Sequence, residues 1–301
     1  MRAVQTTIVV ALALVSCGPS DSEVAAGPPI PDLAGLWATE YFGFEPPLSG
    51  PGPITNKFRL PNGNIDPAHR AGNDANPRLK PSAAETLRAK AEILRDGRNF
   101  PEPSNQCAPQ QPPYIFWQQE IQLLQQPDEI VILYMDDHHV RRVRLNGQHP
   151  AHLTPSWSGD SVGHYEGDTL VIDTVGVKAG PFSMMDNFGT PQSEAVHVVE
   201  RYRLIGHEAV VAAEKRGEVE TLRFAGDNIL GDGVAVDPDE KGNGLQLEFT
   251  VEDPNVFTTS WSALRTYRRA AGEFVERVCA ENLREAAGPA RKVPTADKPD
   301  F

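Results

Sequence analysis

The sequence predicts an all-β protein: an antiparallel meander closing into a β-barrel, with one N-terminal helix and a long irregular N-terminal excursion. Three observations predict it. From Cys107 onward, apolar residues recur with a period of two in segments bounded by turn signals. One stretch, around residues 82–97, carries a clear helix signal. Sequential strands joined by short turns favour antiparallel neighbours, and closure is the simplest way to remove the open edges of such a sheet. A β-sandwich is the alternative that the same strands allow.

The elements follow in chain order. Met1-Arg2 and the apolar run from Ile8 to Val15 lead into Leu14-Val15-Ser16-Cys17. This segment resembles a bacterial lipoprotein signal, which implies cleavage before Cys17, lipidation of its thiol and a new N-terminus there. The run is too short for a stable membrane span. Gly18 stands where an Asp would favour inner-membrane retention, so the resemblance implies a periplasmic protein anchored by lipid alone to the outer membrane. The expected division is signal peptide 1–16, Pro-rich tether 17–32, a single barrel domain 33–287 and a disordered tail 288–301. Gly35-Leu36-Trp37 opens the folded part. Prolines crowd residues 46–81, so no regular element is expected there. Ser82-x-x-Glu85 reads as a capping box, and Leu87, Ala91 and Leu94 form the apolar stripe of a helix that Gly97 closes. Strands are expected at 115–125, 129–135, 138–145, 161–165, 169–177, 194–204, 245–252, 257–269 and 274–279, with a short helix at 280–287.

The net charge of −13 argues against nucleic acid, whose affinity depends on cationic contacts. Besides Cys17, only Cys107 and Cys279 remain, and two thiols in an exported protein are expected to pair. A bond across a loop that long contributes about 4–5 kcal/mol by chain entropy.

Gly35 and Trp37 at the first strand, with Arg265 or Arg268 on a late one, resemble the lipocalin-like (calycin) barrels. The segments "GDSVGHYEGDTLVIDTVG", "TPQSEAVHVVERYR", "VEDPNVFTTSW" and "EFVERVCAEN" resemble a family of exported bacterial proteins whose members read GDSxGHWEGDTLVVDT, with Trp where Tyr165 stands here. That likeness spans roughly Cys107 to Asn282 and carries no reaction with it.

Glu166-Gly167-Asp168 has the composition of a hairpin turn, with Gly167 at positive φ. His164 and Asp173 flank it on adjacent strands. In the 194–204 strand, Val196, Val198, Glu200 and Tyr202 share one face and His197 the other. A buried Glu200 would need a cationic partner. His197 and His164 with Asp173 or Asp186 form a candidate catalytic acid–base set, because imidazole titrates near neutrality. Met184, Met185 and Phe188 around Asp186 would raise its pKa. Trp117, Tyr165, Trp261 and Tyr202 are candidate substrate-binding walls. His149 and His152 could both reach a zinc but lack a third ligand, and the acidic 237–248 loop lacks the helices of an EF-hand, so no metal is expected. No cofactor fingerprint is present. The expected function is cofactor-independent acid–base chemistry of isomerase, lyase, hydratase or cyclase type on a small, largely apolar molecule in the barrel. A non-catalytic carrier of a hydrophobic small molecule is the alternative.

Overall fold

Alternation along the strands becomes alternation between the barrel's inside and outside. On the strand Thr169–Val175, Leu170, Ile172 and Thr174 are fully buried while Asp173 is half-buried on the outer face. The computed structural model describes residues 30–39, 41–117, 120–135, 138–223, 235–236, 241–272, 274, 278 and 279. Cys17, the expected signal segment, residues 17–29 of the tether, the 280–287 helix and the tail lie outside the described residues. So does most of the expected 274–279 strand.

The elements run β1 (Gly35–Ala38), β2 (Tyr41–Phe42), α1 (Pro81–Arg95), β3 (Ile121–Gln125), β4 (Glu129–Tyr134), β5 (His139–Leu145), β6 (Asp160–Glu166) and β7 (Thr169–Val175). They continue with β8 (His197–Ile205), α2 (His207–Gly217), β9 (Leu222–Arg223), β10 (Ala235–Val236), β11 (Gly244–Glu252) and β12 (Trp261–Ala271). Nine strands close a barrel in the order β1-β3-β4-β5-β6-β7-β8-β11-β12, with β12 returning to β1. β10 extends β12, and β2 pairs with β9 as a separate ribbon.

Two features correct the expected meander. β5 and β6 pair in parallel, Val143 opposite Ser161. Asn146-Gly147 does not close a tight hairpin. The chain instead travels back along the barrel through residues 146–159 before starting β6, and a parallel pair needs such a crossover. The second feature is α2, which the sequence reading left without an element. Its buried stripe is only Val210, Ala213 and Gly217, too small to announce itself. α2 docks on the barrel through Arg268 of β12, which donates to Glu214 at 2.7 and 2.8 Å.

α1 buries the expected Leu87, Ala91 and Leu94. Its start differs from the expected capping box. Pro81 occupies the first turn, Lys80 is the N-cap, and Ser82 lies inside the helix, where its carbonyl accepts from Thr86. Proline suits that position because its missing N–H would be unsatisfied there anyway. The expected strand at 115–125 is shorter, since residues 114–117 form a 3-10 turn and β3 begins at Ile121.

Arg265 of β12 is fully buried and donates to the carbonyls of Gly43 and Tyr41, both at 2.7 Å. Arg269 of β12 packs on Trp37, its guanidinium 3.9 Å from the indole centre. Gly35, at φ +126°, leaves room for that guanidinium, which a Cβ would strike. Cys107 and Cys279 form a disulfide with Cα atoms 5.5 Å apart. No helix among the described residues is long and apolar enough to cross a membrane.

Candidate functional site

The barrel interior holds a buried ion pair. Arg141 on β5 and Glu200 on β8, both fully buried, face each other at 2.5 and 2.8 Å, so Glu200 has the cationic partner its burial demands. Thr174, Ser161 and Tyr134 complete the guanidinium's shell. Burial disfavours the Arg141 charge, but the Glu200 carboxylate outweighs it and holds the guanidinium above its ordinary pKa. Burial pushes the Tyr134 hydroxyl up to about 12. Tyr202 donates to Glu200 at 3.1 Å. Trp117 and Trp261 pack edge-on against Phe44, Phe188, Phe249 and Phe257. Tyr165 lies at one end, its hydroxyl accepting from Gln125 at 2.7 Å. Of the four candidate wall residues, Trp117, Trp261 and Tyr202 therefore lie in the packed interior, and Tyr165 is only partly buried against it.

Proton-carrying side chains gather instead on the outer wall, where β6, β7, β8 and the 146–159 crossover meet. Asp173 projects outward from β7, and β8 places His197 beside it. His197 Nε2 lies 3.1 Å from each Asp173 oxygen. The crossover brings His149, whose Nε2 lies 3.0 Å from Asp173 Oδ1. Its Nδ1 lies 2.6 Å from Asp160 Oδ1 at the start of β6. Both ring nitrogens of His149 thus face carboxylates. The Arg144 guanidinium, with His149 second, holds the Asp160 carboxyl below its usual range.

His197 is arranged differently. Its Nε2 proton goes to Asp173, which leaves Nδ1 as the basic nitrogen, with Glu252 no nearer than 3.9 Å. A carboxylate that fixes one nitrogen of an imidazole and leaves the other for chemistry is the orienting half of a hydrolytic triad. The group is open to water: His149 is 24 % exposed, His197 34 % and Asp173 40 %. Among the described residues, no three His, Cys, Asp or Glu side chains have the spacing of a metal site. Of the acidic 237–248 loop, Asp237 and Asp239 lie outside the described residues.

Of the predicted set, the structure thus brings Asp173 and His197 together and places the other two elsewhere. His164 is exposed near the 166–169 turn, bonded to Glu166 at 3.1 Å. Asp186 is buried beside α1, its Oδ1 accepting from the Phe188 and Thr190 amides at 2.9 and 3.1 Å. Burial raises its pKa against those bonds. Nearby, burial pulls the Lys90 ammonium down to about 8, although Asp186 and Glu102 hold it up. Burial raises the Glu102 carboxyl against Arg70 and Lys90. Asn187 bridges Glu102 and Arg70, and these residues line a polar cavity of about 130 Å³. His149 and Asp160 are the members that sequence reasoning missed. The His149–His152 pair was visible, but only the crossover reveals that His149 meets Asp173.

A second, larger recess of about 310 Å³ lies against the proline-rich excursion, lined by Phe44, Pro46, Pro53, Ile54, Arg78 and Phe188 among others. Compared with family models, with curated proteins and with solved structures, the chain matches none, so the chemistry rests on these side chains alone.

Proposed function

We propose that this protein is an exported lipoprotein enzyme that transfers protons on a small, largely apolar molecule, in an isomerase, lyase, hydratase or cyclase reaction without a cofactor. His197 is the base through Nδ1, Asp173 orients it, and His149 holds Asp173 from the other side. The observation that carries this reading is one carboxylate, Asp173, receiving Nε2 of two histidines at 3.0–3.1 Å. His164 and Asp186 have no part in this version, and the substrate meets the outer wall rather than the barrel interior.

The Leu-Val-Ser-Cys17 pattern supports export and lipid anchoring. The Cys107–Cys279 bond supports an oxidising compartment such as the periplasm. The closed nine-strand barrel, with Gly35 and Trp37 on its first strand, is compatible with a lipocalin-like barrel.

Deuterium wash-in tests the proton-transfer reading. The protein is incubated in D2O with a panel of small apolar ketones, enones and hydroxy acids, and exchange is followed by proton NMR. Exchange above the protein-free rate for at least one member, abolished in His197→Ala without a change in melting temperature, is the expected result. Equal exchange in wild type and His197→Ala would remove the assignment. A carrier is the second reading, favoured by the 310 Å³ apolar recess. Under that reading His197→Ala leaves ligand binding and stability per folded molecule unaltered.

A further inference from the structure

The apolar recess carries one charge that no carboxylate among the described residues balances. Two charged side chains line it, Glu220 and Arg78. Glu220 is met by Arg59 in two bonds of 2.9 Å. Arg78 makes a single side-chain bond, from Nη2 to the carbonyl of Gly52 at 2.5 Å, and its Nη1 has no hydrogen-bond partner. No carboxylate among the described residues acts on it, and burial alone lowers its pKa. A partly desolvated guanidinium without a counter-ion is unfavourable, and an incoming anion relieves it.

The backbone holds Arg78 firmly. Its amide donates to Asn76 Oδ1 at 3.0 Å, and its carbonyl accepts from the Thr258 amide at 2.9 Å. Most of the remaining wall is hydrocarbon from Phe44, Pro46, Pro53, Ile54 and Phe188, with Thr55, Asn76 and the Arg59-paired Glu220 as its polar members, and Trp117 packs behind at 5.7 Å from Phe44 and 5.6 Å from Phe188. A recess of about 310 Å³ is at the lower end of small-molecule sites.

We propose that this recess binds a small apolar monocarboxylate, its carboxylate on Arg78 and its hydrocarbon against Phe44, Ile54 and Phe188. The recess shares no residue with the His149–Asp173–His197 group, so this inference stands apart from the proton-transfer reading.

Isothermal titration of the full protein at pH 7 with butyrate, hexanoate and octanoate, and with octan-1-ol and octylamine, tests it. Affinity should rise about fourfold per added methylene, the gain of a buried CH2. Octanoate should bind about tenfold or more tighter than octan-1-ol or octylamine, as a charge-assisted bond requires. Arg78→Gln should abolish that preference while leaving octan-1-ol binding and the melting curve unchanged, and Arg78→Lys should keep part of it. His197→Ala should bind octanoate like wild type, so failure of the catalytic reading leaves this result intact. Equal affinity for octanoate and octan-1-ol, a preference that survives in Arg78→Gln, or no binding of any probe at millimolar concentration would overturn the proposal.

Discussion

Asp173 offers two oxygens and receives protons from two rings. Asn in its place would keep the shape but offer one acceptor oxygen and set an N–H donor against His197 whichever way the amide is turned. Asp173→Asn should therefore lower turnover by about 10²–10⁴-fold, the usual worth of general acid–base catalysis. The melting temperature should move little, because half-exposed ion pairs contribute about 1 kcal/mol or less. Long-range proton–nitrogen spectra give a readout without substrate: His197 should carry its proton on Nε2 in wild type and as mixed tautomers in Asp173→Asn. Gly167 gives the opposite case. It turns the β6–β7 hairpin at φ +64°, and a Cβ there would meet nothing within 4 Å. Gly167→Val should thus cost stability through backbone strain alone, roughly 1–2 kcal/mol in urea melts, without altering the His197 tautomer. Both residues were legible in sequence for a physical reason: a glycine between two acids marks a turn, and period-two alternation sets Asp173 on a different face from Leu170 and Ile172. His164 misled because alternation fixes a face but not a distance along the strand. Asp173 sits opposite Val162 rather than His164.

At the scale of elements, α1 shows how local pattern and environment divide the work. Its stripe of Leu87, Ala91 and Leu94 is written in the sequence, whereas the fate of Lys90 is not, since the 184–190 loop that covers it is distant in the chain. Lys90 Nζ donates to the Gly189 carbonyl at 2.8 Å and lies over the Phe100 ring. Its folded pKa of about 8 lies below the ordinary lysine value, about 10.4. Between the two values the unfolded chain binds more protons than the folded one, so stability must rise with pH. Urea melts from about pH 8 to 9.5, below the ordinary tyrosine range, should show that rise in wild type and a flat limb in Lys90→Met. A flat wild-type limb would show that Lys90 is not desolvated. The β5–β6 crossover was illegible for a similar reason. Asn146-Gly147 looks like a hairpin turn locally, and only pairing in space reveals that the next strand starts at the opposite end.

For the molecule as a whole, a buried charge pair, Arg141 with Glu200, lies inside the barrel. Removing one member leaves the other buried and unpaired, which costs about 3–5 kcal/mol. Glu200→Gln should lower unfolding free energy by that amount. The double variant Arg141→Met, Glu200→Leu should recover most of it, since well-packed hydrophobic replacement of a buried pair is often neutral or better. The need for a partner was predictable from Glu200 lying among Val196, Val198 and Tyr202. Which arginine answers was not, because Arg141, Arg142 and Arg144 crowd one strand. The disulfide acts on the same scale: Cys107→Ser with Cys279→Ser should lower stability by about 4–5 kcal/mol if the unfolded chain is otherwise unstructured, with the His197 tautomer unchanged.

The seam of the barrel joins Gly35–Ala38 to Trp261–Ala271. A chain made from its N-terminus must therefore hold its first strand unpaired on one side until almost all the rest has been synthesised, a wait of roughly 10–50 s at ordinary elongation rates. During that interval the sheet has two free edges, and Trp37 lacks the Arg269 that covers it. Fragments ending before Trp261 should accordingly stay sensitive to protease and self-associate, whereas chains that include β12 resist both. A newborn chain of this design depends on whatever shields it until its last strand arrives.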